Sequence, residues 1–198
     1  MAQITDLFIY PVKSLKGITL NESMTALRGL QYDREWMVTT SDYKFITQRE
    51  IPLMSTIEVS IDSDALTFSS KNNAKFQVPL LSSNTNVIKA SVWGDICDAF
   101  DEGDDVSLWL TSLLGQYKKK SLRLVRYSSQ GIRPVPAKYL NGVEAQSAFS
   151  DQFPYLITSW ESLEKLNKGL IKNGSQVAEM DRFRPNIVVK GIDNLEKK

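Results

Sequence analysis

The sequence predicts a mainly β, α+β protein: an antiparallel, barrel-like region with one helix, then a smaller β-rich region with a second helix. Two observations carry this. Apolar and polar residues alternate with period two in short segments of the first hundred residues, each closed by turn residues. The period then switches to the spacing of a helix face, once near residue 105 and again near residue 160.

Taken in order, Ile4–Tyr10 reads as a strand stopped by Pro11. Trp36–Thr39 and Phe45–Thr47 flank the turn-rich Ser41-Asp42-Tyr43-Lys44 and read as a hairpin. Ile57, Val59 and Ile61 alternate with polar residues, as do Leu66 with Phe68 and Phe76 with Val78. Val106, Trp109, Leu110, Leu113, Leu114 and Tyr117 share one helical face. Asp104 and Asp105 stand where N-terminal caps belong and Gly115 where a helix ends, which predicts a helix over about 105–114. Leu122–Arg126 reads as a strand and Ser128–Gly142, with Pro134 and Pro136, as a loop. Tyr155–Ile157 is a further strand, Thr158 with Glu161 has the form of a capping box, and Trp160, Leu163, Leu166 and Leu170 give a second amphipathic helix. Ile187–Val189 is a last short strand, expected on an open sheet edge where a second copy could pair, and a polar tail runs from Asp193 to Lys198. The expected division is 1–118 and 119–198. The second part is small for an independent core and is expected to be incomplete.

Composition excludes several classes. Twenty-four basic and 23 acidic residues leave a formal charge of +1, so bulk attraction to nucleic acid or to an anionic membrane is not expected. Lys118, Lys119, Lys120, Arg123, Arg126 and Arg133 form a local basic cluster, read as a solvated face rather than a nucleic-acid surface. No apolar run approaches the ~18–20 residues of a membrane span. Met1-Ala2-Gln3-Ile4 lacks the basic-then-apolar pattern of a secretory signal, which makes the cytoplasm the expected compartment. The absence of histidine removes Ser-His-Asp, Cys-His and His-based metal sites. Cys97 is the only cysteine and is expected to be a half-buried strand residue. Chemistry near neutral pH therefore falls to carboxylates, Lys, Arg, Tyr, Ser or Cys97, or to a borrowed cofactor.

Five clusters carry candidate chemistry. Tyr10 to Gly17 runs from a strand through Pro11 into a turn that can present Lys13, the Ser14 hydroxyl and backbone N–H groups together, a chemically sensible grip on phosphate. Asp33-Arg34-Glu35-Trp36 can supply a forked guanidinium contact to the same anion. Ile46-Thr47-Gln48-Arg49, Ser150-Asp151-Gln152-Phe153-Pro154-Tyr155 and Arg182-Phe183-Arg184-Pro185-Asn186 add further donors and one carboxylate, with Arg182 and Arg184 pointing the same way if the chain there is extended. Each also has an ordinary structural reading as a solvated turn, an ion-pair network or a strand end.

Together, "YPVKSLKG", "GLQYDREWMV", "FITQRE", "SVWGD", "FSDQFPYLI" and "RFRPNIVV" resemble, in order and spacing, MOSC-domain proteins with an N-terminal β-barrel extension. That group includes the mitochondrial amidoxime reducing component and bacterial proteins that protect against hydroxylated purine bases. The resemblance runs from Ile4 to about Gly191. It implies a molybdenum cofactor, a pyranopterin whose dithiolene holds the metal, and reduction of N-hydroxylated small molecules with electrons from a ferredoxin-like protein or a flavoprotein. By position it implies Lys13, Ser14 and Arg34 on the cofactor's phosphate and pterin, Asp151 from the Ser-Asp turn, and Arg184 and Asn186 on the pterin, with Thr47 and Arg49 lining the same pocket. The family's molybdenum ligand is a cysteine several tens of residues beyond the "FRPN" strand. The sequence ends at Lys198 before it, and Cys97 is not a substitute. The resemblance therefore assigns no catalytic residue or metal ligand here. The alternative reading is a non-catalytic fragment that binds pterin or phosphate weakly or serves as an interaction domain.

Overall fold

A computed structural model describes residues 1–71, 73–81 and 86–192; the polar tail expected over 193–198 lies outside the described residues. The strands are β1 (Gln3–Ile9), β2 (Val12–Lys13), β3 (Ile18–Leu20), β4 (Thr25–Ala26), β5 (Gly29–Leu30), β6 (Trp36–Thr40), β7 (Glu58–Ile61), β8 (Ala65–Ser70), β9 (Asn73–Pro79), β10 (Val87–Val92), β11 (Asp95–Asp101), β12 (Leu122–Tyr127), β13 (Ile157–Ser159) and β14 (Ile187–Lys190). The helices are α1 (Asp104–Leu114) and α2 (Trp160–Lys172). The protein is mainly β, of the α+β class.

The central sheet has the order β10-β11-β12-β6-β2; the meander β7-β8-β9, the mixed sheet β13-β14-β1-β3 and the short pair β4-β5 complete the fold. These are open sheets: among the described residues none closes on itself as a barrel. The central sheet is buried on both faces. Trp36, Val38, Leu122 and Leu124 point into a cluster with Phe68 and Leu110, while Met37, Val125 and Tyr127 point to the other face with Phe149. Burial on both faces explains why β6, Trp-Met-Val-Thr-Thr and buried throughout, shows no alternation of apolar and polar residues. The Trp36 indole keeps its hydrogen bond in this core by donating to Glu102 at 2.8 Å, and Glu102 in turn accepts Arg126 Nε at 2.6 Å.

Local departures from the sequence reading have simple causes. The N-cap of α1 is Gly103, at φ 103°, and no side chain caps it; Asp104 and Asp105 lie in the first turn, where acids suit the helix dipole. The N-cap of α2 is Ser159 rather than Thr158, and its side chain accepts Ser162 N–H at 3.1 Å. Glu161 accepts Gly191 N–H at 2.7 Å instead of closing a capping box. Tyr155 and Leu156 precede β13, and Phe45 makes a single bridge to Thr39. The largest departure concerns β14. It is not on an edge, because β1 pairs with it antiparallel on one side and β13 pairs with it parallel on the other. The first strand of the chain takes the place expected for a partner.

The basic cluster is a solvated face only in part: Lys118 and Lys119 are exposed, whereas its other members are ion-paired. Arg123 is paired with Asp101 and Asp104, Arg126 with Glu102, Lys120 with Asp42, and Arg133 with Asp95. No helix among the described residues is long and apolar enough to cross a membrane.

Leu110 is fully buried between α1 and the central sheet. Leu110→Ala is expected to cost about 2–5 kcal/mol of stability, read as a lower urea midpoint with unchanged slope.

Candidate functional site

Six segments converge on one pocket of about 380 Å³: β2 and the turn after it, the turn before β6, residues 47–49, the β10–β11 turn, and the stretches 150–156 and 183–186. Its lining contains four cations, Lys13, Arg34, Arg49 and Arg184, against one carboxylate, Asp151. All eight residues nominated from the sequence (Lys13, Ser14, Arg34, Thr47, Arg49, Asp151, Arg184 and Asn186) line it.

The backbone is bent to bring them there. Leu15 N–H bonds Val12 C=O at 3.1 Å, closing a turn that holds Ser14 in the left-handed region at φ 70°. Arg34 sits at φ 52°, its N–H on Tyr10 C=O at 2.9 Å and its C=O receiving Phe149 N–H at 3.0 Å. Arg184, at φ 54°, ends a short 3-10 turn over Met180–Phe183. Four of the nine described non-glycine residues with positive φ line this pocket, Trp93 being the fourth. Such residues cost on the order of 1–3 kcal/mol each and persist where the surroundings over-determine them.

The Tyr10 ring, 3% exposed, is the floor on which two guanidiniums rest, Arg34 at 4.3 Å and Arg184 at 4.1 Å from its centroid. Arg34 donates to Asp33 at 2.5 Å and to the Arg184 carbonyl at 2.9 Å. Asp33 also accepts Tyr10 N–H at 2.8 Å, so one buried carboxylate positions both ring and arginine. Arg184 has no acidic partner at bonding distance among the described residues, and its buried Nη2 has no hydrogen-bond partner. Burial, reinforced by the neighbouring Arg34, lowers the Arg184 pKa to about 10, and burial pushes Tyr10 up to about 12.

Lys13 is similarly desolvated. Its side chain is 6% exposed; its ammonium donates to Phe149 C=O at 2.9 Å and to Asp151 at 2.5 Å. Burial holds its pKa below the ordinary lysine value, with Asp151 acting in the opposite sense. The turn carrying Asp151 is fixed from behind by Arg133, whose guanidinium donates to the carbonyls of Ala148, Ser150 and Asp151 at 2.9, 2.6 and 3.1 Å.

Two nominated side chains serve the scaffold. The Asn186 amide is 1% exposed, accepts Leu156 N–H at 3.1 Å and donates to Phe8 C=O at 3.3 Å. Thr47 donates to Glu50 at 2.6 Å and accepts Arg49 N–H at 3.2 Å. Arg182 does not pair with Arg184, because the 3-10 turn and the left-handed residue replace the extended chain. Tyr10, Trp93 and Arg133 were not assigned site roles from sequence. A Trp-Gly pair at a hairpin tip was the only local signal for the second of them. Cys97 is buried in β11, outside the pocket lining, and burial raises its thiol pKa. No set of three His, Cys, Asp or Glu side chains among the described residues is placed to hold a metal.

The family model of the MOSC N-terminal beta barrel domain matches residues 1–117, and that of the MOSC domain matches residues 144–197. The chain belongs to the MOSC family with the N-terminal barrel domain. It is 32% identical over 196 residues to the mitochondrial amidoxime-reducing component 1 of Mus musculus, covering 95% of this chain and 55% of that protein. With the Homo sapiens protein of the same name it shares 34% identity over 197 residues, 96% of this chain and 56% of that protein. The chain thus spans little more than half the length of these curated relatives. A solution structure from Bordetella bronchiseptica aligns over 55% of this chain and 90% of its own at 15% identity, with a TM-score of 0.41, too loose to carry an argument.

A Cβ added at Gly17 would stand 2.5 Å from Cε1 of Tyr10. Gly17→Ala is expected to tilt the ring under both arginines and cost roughly 1–3 kcal/mol, seen as a lower denaturation midpoint. Lys13→Met is expected to leave that midpoint unchanged or higher, since it removes a desolvated charge whose partner, Asp151, has a side chain 73% exposed and so can be solvated.

Proposed function

We propose that this pocket binds the phosphate and pterin of a molybdenum cofactor, in a protein that reduces N-hydroxylated small molecules. One observation carries the reading: Lys13 is a buried cation and Arg184 a half-buried one in a pocket with more positive than negative groups, and the buried Arg184 Nη2 has no partner. Buried charge without compensation is unfavourable, and an anionic, acceptor-rich ligand removes the deficit. The donor set fits that ligand. Lys13 is a point charge for a phosphate oxygen, Arg34 offers a planar fork behind it, and Ser14 adds a neutral hydroxyl from the adjoining turn. Arg184 is set to reach pterin acceptors, while Asp151 is the one lining carboxylate able to accept from pterin N–H groups. Arg49 lies at the exposed rim. Asn186 and Thr47 hold the strands and turns that place these groups.

When bound, the cofactor would supply the redox step in which an N–O bond is replaced by N–H with release of water. The protein's own part is to anchor the phosphate, orient the pterin and keep the site's cations desolvated. The relatives' printed names support amidoxime reduction as the substrate class. Electrons would come from a ferredoxin-like protein or a flavoprotein. Cytoplasmic placement belongs to the same proposal, whereas the relatives are named as mitochondrial.

Lys13→Ala and Arg34→Ala are each expected to weaken binding of inorganic phosphate, and of a phosphorylated pterin, by about 1.5–3 kcal/mol, the loss of one charge-assisted hydrogen bond. Calorimetric titration measures this. Unchanged affinity in both variants would return the cluster to structural ion pairing.

A further inference from the structure

Trp93 occupies a place that the reading above leaves without a role. The β10–β11 hairpin turns through Trp93 and Gly94 at φ 51° and 93°, the paired positive values of a tight hairpin turn. The indole lines the pocket and stays 43% exposed, a poor position for a structural tryptophan. Its Nε1–H donates to Asp151 Oδ1 at 2.9 Å, the same oxygen that receives Lys13 Nζ at 2.5 Å. The ring lies 5.3 Å from Lys13 Nζ and 5.8 Å from Arg49 Cζ, and it rests against Phe45 with centroids 4.7 Å apart.

The ion pair is lopsided. The Lys13 side chain is 6% exposed and that of Asp151 is 73% exposed. The lysine cannot leave, while the carboxylate can rotate into solvent. Arg133 clamps the backbone carbonyls of Ser150 and Asp151, so such a rotation is confined to the side chain. An anion approaching Lys13 meets the Asp151 carboxylate as a like charge on the same ammonium.

We propose that Asp151 and Trp93 form a displaceable latch on Lys13: the carboxylate is the lysine's resident counter-ion, and a ligand's phosphate takes its place, releasing Asp151 and the Trp93 indole N–H. The inference rests on the anion-binding reading of the pocket. It also gives the site selectivity. A tethered carboxylate has a high effective concentration at Lys13, so a free monoanion such as acetate does not displace it, whereas a doubly charged phosphate does.

The test uses the whole chain with inorganic phosphate as probe, in low-salt buffer, and reads two signals. Calorimetry compares wild type, Asp151→Ala, Trp93→Phe and Lys13→Ala. Indole N–H resonances of the nitrogen-15-labelled protein are followed in parallel, Trp93→Phe identifying the signal. Removing a competitor that leaves the lysine available about a tenth of the time tightens phosphate binding roughly tenfold in Asp151→Ala. Trp93→Phe gives a smaller change of the same sign. Phosphate should move the wild-type Trp93 signal toward its position in Asp151→Ala, and acetate should not. If phosphate binding depends on Lys13 yet is unchanged or weaker in Asp151→Ala, the latch is wrong and the anion site stands. If phosphate binds neither wild type nor Asp151→Ala, both fail. A tighter Asp151→Ala with an unmoved wild-type indole signal removes Trp93 from the device.

Discussion

Pairing of β1 with β14 sets Leu7 beside Ile187 and Asp6 beside Val188, and so brings the chain's opening residues against its last strand. The pocket depends on that register. Tyr10 follows directly from β1, and Arg184 lies three residues before the start of β14, so the ring and the guanidinium that rests on it meet because the two strands do. Phe8 N–H on the Asn186 carbonyl, and the Asn186 amide on Phe8 C=O and Leu156 N–H, fasten the same junction. A one-residue slip would reverse the facing of every side chain on β14.

The junction concentrates charge where solvent is scarce. Lys13, Arg34 and Arg184 are each largely desolvated, and among the described residues only Asp33 and Asp151 lie at bonding distance as acids. Arg133 and the pair Glu102–Arg126 behave differently: buried as well, they are saturated by carbonyls and carboxylates. That contrast separates groups that hold the fold from groups left over for a ligand, and it is drawn by hydrogen-bond accounting rather than by charge alone.

Much of this was legible in the sequence, and the failures share one cause. Period-two and helical spacing located the β7–β8–β9 meander, α1, β12 and α2, because those patterns are local. The caps fall at Gly103, which has no capping side chain and sits at φ 103°, and at Ser159, one residue beyond Thr158 and equally able to accept a backbone N–H. The placement of β14 was missed because its partner lies at the opposite end of the chain. In the site, the residues that bear charge could be nominated from their types. Tyr10, Trp93 and Arg133 could not, since their roles exist only in relation to residues distant in sequence. Asn186 and Thr47 line the pocket, yet their polar groups turn to the backbone and to Glu50.

The β1–β14 ladder also fixes an order of events in biosynthesis. Thr5 and Val188, in contact across 183 positions, cannot meet until nearly all the described chain has left the ribosome. The strands of the central sheet all lie before residue 128, and Phe149, which covers one of its faces, follows well before β14, so this sheet is free to form earlier. A nascent chain arrested before Arg184 therefore carries a folded sheet with Lys13 and Arg34 in place but no assembled pocket, and any ligand must be loaded after that long loop has closed. Until β14 arrives β1 keeps only its pairing with β3, so its other edge stays open during synthesis and is a site for unwanted strand pairing.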